Sequence, residues 1–352
     1  MIVAEFRQFR PVTVSMTMVI MLWLSLLFSN HLAGHDLIAT TLFAGYVLLI
    51  LTFITSFYLA CTKLPWFLSA FIIVTIGAAF VSGLFSIGFY FFLDYQPLIE
   101  QRLYALGRLN NPVISAISYG SILCLCLTFI ATTRENGLRA LALVIAITLI
   151  IAILLTGSRG AWVGILGATF CIIVLRDWKS RQQFIASLIA LPIILTSLGA
   201  VLYSLGYADA LVRRSFSFRP EIWQATVEHW LSSSLLFGAG LNSKIDLAIP
   251  PNVFEHPHSI YISTLYYGGL ISLTLLSILL ARAYWVLINR AEKNTRNYAF
   301  PLLTFGLMTL VFDGNRLIEK VDFLWLCLWL PITLTLVAEG KFSERPSQVS
   351  VG

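Results

Sequence analysis

Three short stretches bring together residue types able to do chemistry. Gly157-Ser158-Arg159-Gly160-Ala161-Trp162 joins two apolar runs with almost no loop between them. Its glycines permit a tight turn, which holds one guanidinium with little freedom to wander. That planar fork of donors matches phosphate oxygens. An interfacial anchor, with Trp162 in an aromatic belt, explains the same residues equally well. Arg219-Pro220-Glu221-Ile222-Trp223 reads as a helix start, because proline is favoured at the first helical position. Arg219 then sits where free backbone N–H groups and the helix dipole also favour an anion. The alternative is a surface helix whose arginine pairs with a carboxylate. His256-Pro257-His258-Ser259 comes just before another apolar run, with Tyr261 and Gly268-Gly269 following. A neutral imidazole at such a mouth can serve as a general base. It can also be a structural histidine. Two histidines at i and i+2 form a poor facial pair, and no carboxylate or cysteine stands at ligand spacing, so no metal is expected. Arg102 and Arg108 lie in the loop 94–111 and either add to an anion site or decorate a solvated loop. Arg213, Arg214, Lys244, Arg316 and Lys320 are candidates for headgroup or acceptor contacts.

The elements that must hold these residues are set by composition. Of 352 residues, 58% are hydrophobic and only 11% charged. An ordinary soluble domain carries about a quarter charged residues, so a membrane protein is expected. At about 20 residues per crossing, the length accommodates about ten spans and one sizeable loop. The net charge of +6 does not point to nucleic acid. Apolar runs fall near 12–29, 37–60, 66–93, 112–132, 138–156, 160–175, 183–205, 259–281, 299–312 and 323–338. The first follows Arg7 and Arg10 but lacks a clean cleavage site, so it reads as an uncleaved span. Residues 1–352 read as one membrane domain. The connection at 206–258, between the seventh and eighth runs, is its large outer loop. Within that loop Trp223, Val227, Trp230 and Leu231 recur at helical spacing and predict an amphipathic helix ended by Gly238 and Gly240. The cysteines Cys61, Cys124, Cys126, Cys171 and Cys327 all lie in or beside apolar runs and read as small core residues.

Lys and Arg set the orientation. Fourteen fall in one set of alternate loops and nine in the other, and four of those nine lie in the long connection. Excess positive charge marks the cytoplasmic side, so both termini are expected there. All five histidines (His31, His35, His229, His256 and His258) then fall outside. The basic residues outside either snorkel to headgroups or handle an anionic ligand.

In order and spacing these motifs resemble the O-antigen ligase family of bacterial inner membranes, within a wider ligase/polymerase superfamily. The resemblance rests on Ser158-Arg159-Gly160-Ala161, on Arg219-x-x-x-Trp223 followed by Gly238-x-Gly240, and on His258-Ser259-x-Tyr261 with Gly268 beyond. Asn111-Pro112 is a weaker fourth match. The resemblance covers about 108–270. It implies an all-α polytopic, GT-C-like membrane glycosyltransferase with its active site facing the periplasm. The implied donor is an O-antigen glycan linked to undecaprenyl pyrophosphate. The implied acceptor is a sugar hydroxyl of lipid A-core, in lipopolysaccharide biosynthesis, with membrane lipids as surroundings.

That chemistry suits these residues. Pyrophosphate leaves without a general acid but needs positive charge, which clustered arginines supply in a partly dry site. Arg159, Arg219, Arg108 and Arg102 are the candidates for this role. The acceptor alcohol needs a base, and His258 is the best candidate. Arg159, Arg219 and His258 are therefore the expected catalytic set. A glycosidase would instead be expected to show a catalytic carboxylate pair. There is no phosphate-binding Gly-x-x-x-x-Gly-Lys-Ser/Thr and no dinucleotide fingerprint, so neither a cofactor nor ATP is expected. Transfer is expected to be metal-independent and inverting. The alternatives are an O-antigen polymerase, a protein O-oligosaccharyltransferase or, from another class, a solute transporter. A transporter would place ionisable groups near mid-bilayer, whereas here they avoid the span centres.

Overall fold

The structure is a computed structural model that describes residues 13–92, 102–176, 182–183, 185–186, 218–249 and 252–344. The expected seventh span at 183–205 lies largely outside the described residues. So do Arg7, Arg10, Lys179, Arg181, Arg213, Arg214, Arg345 and all of the first twelve positions of the long connection.

In chain order the helices are α1 (Val14–Leu32), α2 (Leu37–Lys63), α3 (Phe67–Phe92), α4 (Pro112–Thr132), α5 (Asn136–Thr156), α6 (Arg159–Leu175), α7 (Arg219–Leu231), α8 (Ile260–Asn289), α9 (Lys293–Thr309) and α10 (Leu330–Glu344). A short antiparallel hairpin, β1 (Leu247–Ile249) and β2 (Asn252–Phe254), precedes α8. A 3-10 turn (Gly107–Leu109) precedes α4, and a π-helical turn (Trp325–Trp329) leads into α10. Among the described residues six helices are long and apolar enough to cross a membrane: α1 to α5 and α8. The chain is a mostly helical, multi-pass membrane protein. All five cysteines are free thiols, four of them buried.

Two compact units divide the chain, the first within Met1–Leu68, Ile222–Phe300 and Gly314–Gly352, the second within Ser69–Glu221 and Pro301–Asp313. In the second unit, Asn111 caps α4. Its side chain accepts hydrogen bonds from the N–H of Val113 at 2.8 Å and of Ile114 at 3.4 Å, and Pro112 fills the first helical position. The helix α5 ends on Gly157 at φ 62°, a left-handed cap that glycine adopts without steric cost. Small residues on α6 allow a close approach to the second half of α9 and the residues after it. A Cβ on Gly164 would stand 2.1 Å from the Thr309 hydroxyl and 2.8 Å from the Phe305 carbonyl. On Gly160 it would stand 3.1 Å from Phe312. Without a hydrophobic drive between helices in lipid, close contact of this kind is a main source of association.

In the first unit, α1 and α8 meet through Ser25 and Ser29. The Ser25 and Ser272 hydroxyls are 2.8 Å apart, and Ser29 donates to the Tyr267 carbonyl at 2.6 Å. Trp23 and Trp329 pack with ring centroids 5.4 Å apart. Buried Glu339 of α10 binds the Arg282 guanidinium and accepts a hydrogen bond from the Ser15 N–H at 3.1 Å. A buried carboxylate needs such partners.

The amphipathic helix expected in the long connection is present as α7, but its buried residues are Ile222 and Thr226. The expected apolar face is less covered, and Leu231 is exposed. Burial therefore follows an i, i+4 row that the hydropathy pattern does not mark.

Candidate functional site

Arg159 is the first residue of α6 and is exposed. Ser158 precedes it, buried, with its N–H donating to the Thr156 hydroxyl at 3.2 Å. The turn is braced from outside. Arg102 Nε donates to the Thr156 carbonyl at 2.5 Å, and the Leu103 N–H donates to the Leu155 carbonyl at 3.0 Å. A cation at a helix C-terminus complements the dipole there. Arg102 thus secures the end of α5, three residues before Arg159. Arg108 is exposed in the 3-10 turn.

Arg219 begins α7 and is half-buried. Its Nε donates to the Phe312 carbonyl at 2.9 Å. Burial lowers its affinity for the proton, the Asp313 carboxylate acts in the opposite sense, and the like charge of Arg159 adds to the lowering. An arginine so placed is still charged at neutral pH. Arg159, Arg219 and Asp313 therefore share one electrostatic neighbourhood in the second unit.

His258 lies in the first unit, one residue before Ser259, the N-cap of α8. Its ring centroid is 3.9 Å from that of His256 and 6.0 Å from that of Phe254 in β2. Its φ is 51°, in the left-handed region, which costs a residue with a side chain of this kind of order 1–3 kcal/mol. Phe218, immediately before Arg219, has φ 50°. No other non-glycine among the described residues has a positive φ. The unusual backbone thus falls on or beside two of the residues singled out from sequence.

Residues 141–277 match the family described as O-antigen ligase. This stretch is similar to the O-antigen ligase family. An O-antigen ligase of Pseudomonas aeruginosa is 29% identical over 247 residues, which are 69% of this chain and 58% of that protein. The match thus spans less than two thirds of that relative's length. The stretch with O-antigen ligase similarity contains Arg159, Arg219, His258 and the paired glycines. Arg102, Arg108 and Asp313 lie outside it.

The glycines of this stretch have a clear structural task. Gly269, at φ 66°, breaks α8 and frees main-chain groups there. The segment after α7 docks onto them. Ala239 and Gly240 donate N–H groups to the Tyr266 and Tyr267 carbonyls at 2.8 and 3.0 Å. Leu270 and Ile271 donate to the Leu235 and Leu236 carbonyls at 3.0 and 3.2 Å. A Cβ on Gly238 would stand 2.5 Å from the Tyr266 carbonyl oxygen, and one on Gly269 would stand 2.3 Å from the Leu236 oxygen. Either side chain would prevent this pairing. His35 and Asn30 hold the same segment: His35 Nε2 is 3.1 Å from the Ala239 carbonyl, and Asn30 accepts from the Asn242 N–H at 2.8 Å. Arg316 Nε donates to the Leu241 carbonyl at 2.6 Å, with its guanidinium 4.8 Å from the Tyr267 ring centroid. The chain that carries α7 and the chain that begins α8 are thereby locked together.

The residue that the motifs did not reveal is Asp313. It follows the short apolar run 299–312, and its only signal was its place in the polar sequence Asp313-Gly314-Asn315-Arg316.

Proposed function

We propose that this protein transfers a glycan from a polyprenyl pyrophosphate, of the undecaprenyl class, to a sugar hydroxyl of lipid A-core, as an O-antigen ligase. The observation carrying this reading is the placement of two arginines, Arg159 and Arg219, in one electrostatic neighbourhood with Asp313. Two guanidiniums so placed are suited to a pyrophosphate. Fixed positive charge aimed at a leaving group stabilises the negative charge that grows on it.

Arg159 and Arg219 contact the pyrophosphate, Arg108 adds charge from its exposed turn, and Arg102 holds the turn bearing Arg159. His258 takes the proton from the acceptor hydroxyl. The acceptor oxygen then bonds to the anomeric carbon, whose bond to the phosphate oxygen breaks, and polyprenyl pyrophosphate leaves with the electron pair. Displacement from the opposite face inverts the anomeric centre. No metal is needed, because the guanidiniums supply the charge. The site faces the periplasm of a bacterial inner membrane. The chain forms a single GT-C-like membrane domain of about ten crossings, with both termini cytoplasmic and residues 206–258 as the periplasmic connection.

Purified protein, given lipid-linked glycan and lipid A-core in the presence of EDTA, should release polyprenyl pyrophosphate and form a glycosylated core. Release without core glycosylation, or activity that returns only with a divalent ion, would overturn the reading.

A further inference from the structure

The long connection reads from sequence as an outer loop, yet part of it lies alongside the bodies of α1 and α8 in the first unit. Residues 231–237, Leu-Ser-Ser-Ser-Leu-Leu-Phe, carry no charge. They run between these two helices, both long and apolar enough to cross a membrane. On one side the Phe237 ring meets that of Phe28 edge-on, with centroids 5.5 Å apart, and the Ser29 hydroxyl reaches the Phe237 carbonyl. Phe28 stands one turn inside the end of α1 at Leu32. On the other side the Leu235 and Leu236 carbonyls accept from Leu270 and Ile271, beside the break at Gly269. That break comes nine residues after Ile260, about 14 Å along a helix rising 1.5 Å per residue. The segment therefore sits well inside the helix ends. Irregular backbone is tolerated at membrane depth only where protein meets its polar groups. The Ser232 and Ser233 hydroxyls donate to the His229 and Trp230 carbonyls, each at 2.8 Å. The Ser234 hydroxyl accepts from the Phe237 N–H at 3.3 Å, and the Ser234 carbonyl from the Gly238 N–H at 2.6 Å. The three serines thus turn their polar atoms onto the segment's own main chain. Hydrocarbon is left outside: Leu231, Leu235 and Leu236 are 58, 46 and 53% exposed. Phe28 and Leu270 on the flanking helices are exposed as well, so the leucines continue the apolar surface of two crossing helices.

We propose that residues 231–237 form a re-entrant segment seated in one leaflet of the bilayer, with Leu231, Leu235 and Leu236 against lipid acyl chains. The occupant of this face is membrane hydrocarbon and not a protein partner, because the face is continuous with exposed side chains of α1 and α8. The segment pins the long connection to the membrane between α7 and the β1–β2 hairpin. The proposal does not rest on the transferase reading.

The test is nitroxide labelling of the full chain in phosphatidylcholine vesicles, with Leu231→Cys, Leu235→Cys and Leu236→Cys made one at a time. Unsubstituted protein labelled in the same way is the blank for the native cysteines. Asp246→Cys, at a charged and exposed position of the same connection, is the aqueous reference. Each leucine substitution trims an exposed side chain and keeps the main-chain pairing with α8, so the fold is preserved. Molecular oxygen concentrates in the bilayer, whereas a nickel chelate stays in water. The ratio of oxygen to nickel collision rates should be severalfold higher at the three leucine positions than at 246. A ratio equal to that at 246 would put the segment in water and overturn the proposal. Low collision with both reagents would mean that protein covers this face, and would overturn it too.

Discussion

Arg219 donates its Nε hydrogen bond to the Phe312 carbonyl at 2.9 Å, one residue before Asp313. One side chain is thereby tied to main chain next to its countercharge. The bond is made by Nε.

Replacing Arg219 by lysine should therefore impair transfer strongly while preserving the net charge. A lysine ammonium cannot bond the Phe312 carbonyl and grip phosphate oxygens together. Arg159→Lys should fall in the same direction. The measurement is attached O-chain on lipopolysaccharide gels, normalised to protein in the membrane. Wild-type levels from both variants would indicate that the two arginines are anchors.

His258→Asn separates backbone strain from proton transfer. Asparagine tolerates the left-handed conformation that His258 adopts at φ 51°, but it provides no base. Turnover should drop by about 10² to 10⁴, with thermal stability close to wild type. A variant that turns over normally would remove the base from the mechanism.

Gly238→Ala should destabilise the protein. The added methyl group meets the Tyr266 carbonyl at 2.5 Å in a backbone at φ 71°, and strain of this kind costs of order 1–3 kcal/mol. Thermal unfolding of detergent-solubilised protein should shift down by several degrees. An unchanged midpoint would show that the pairing of the 235–240 segment with α8 is dispensable.

Glu319 and Asp322 influence each other electrostatically in the loop before α10, and Asp322 accepts a hydrogen bond from the Leu324 N–H at 2.9 Å. Burial raises both carboxyls above their usual range, and for Asp322 the neighbouring Glu319 raises it further. The folded state then holds protons that the unfolded chain releases above about pH 4. Stability from this pair is complete below that value and declines as pH rises. The unfolding midpoint should be higher at pH 5 than at pH 8, and Asp322→Asn should flatten the difference. An equal slope in the variant would contradict the assignment.

The six helices long and apolar enough to cross a membrane were legible because apolar runs are local. Helix α4 begins at Pro112 and ends at Thr132, where the run does, since Asn111-Pro112 is a start signal in its own right. Other ends shifted for physical reasons. Hydropathy stops the last run at 338, yet α10 continues to Glu344, because Arg282 and the Ser15 N–H satisfy Glu339. Helix α9 begins at Lys293, ahead of the run at 299–312, because a polar first turn leaves no apolar mark. Arg159, Arg219 and His258 were legible as motifs. The pairing of 235–240 with 266–271 was not, because it joins main-chain groups distant in sequence and follows no period. Asp313 was missed for a related reason: a single carboxylate in a loop acquires meaning only from the arginines that folding brings near it.

The central claim is transfer of a lipid-linked glycan that depends on Arg219 and His258. The most direct measurement is the lipopolysaccharide and lipid-linked glycan profile of a strain lacking the gene, complemented by wild type, Arg219→Lys or His258→Asn. The account predicts core without O-chain and accumulated polyprenyl-pyrophosphate glycan in the deletion strain, reversed by wild type and by neither variant. Normal O-chain in the deletion strain would contradict it, as would full rescue by both variants. Single-unit attachment in the deletion strain would assign chain extension instead.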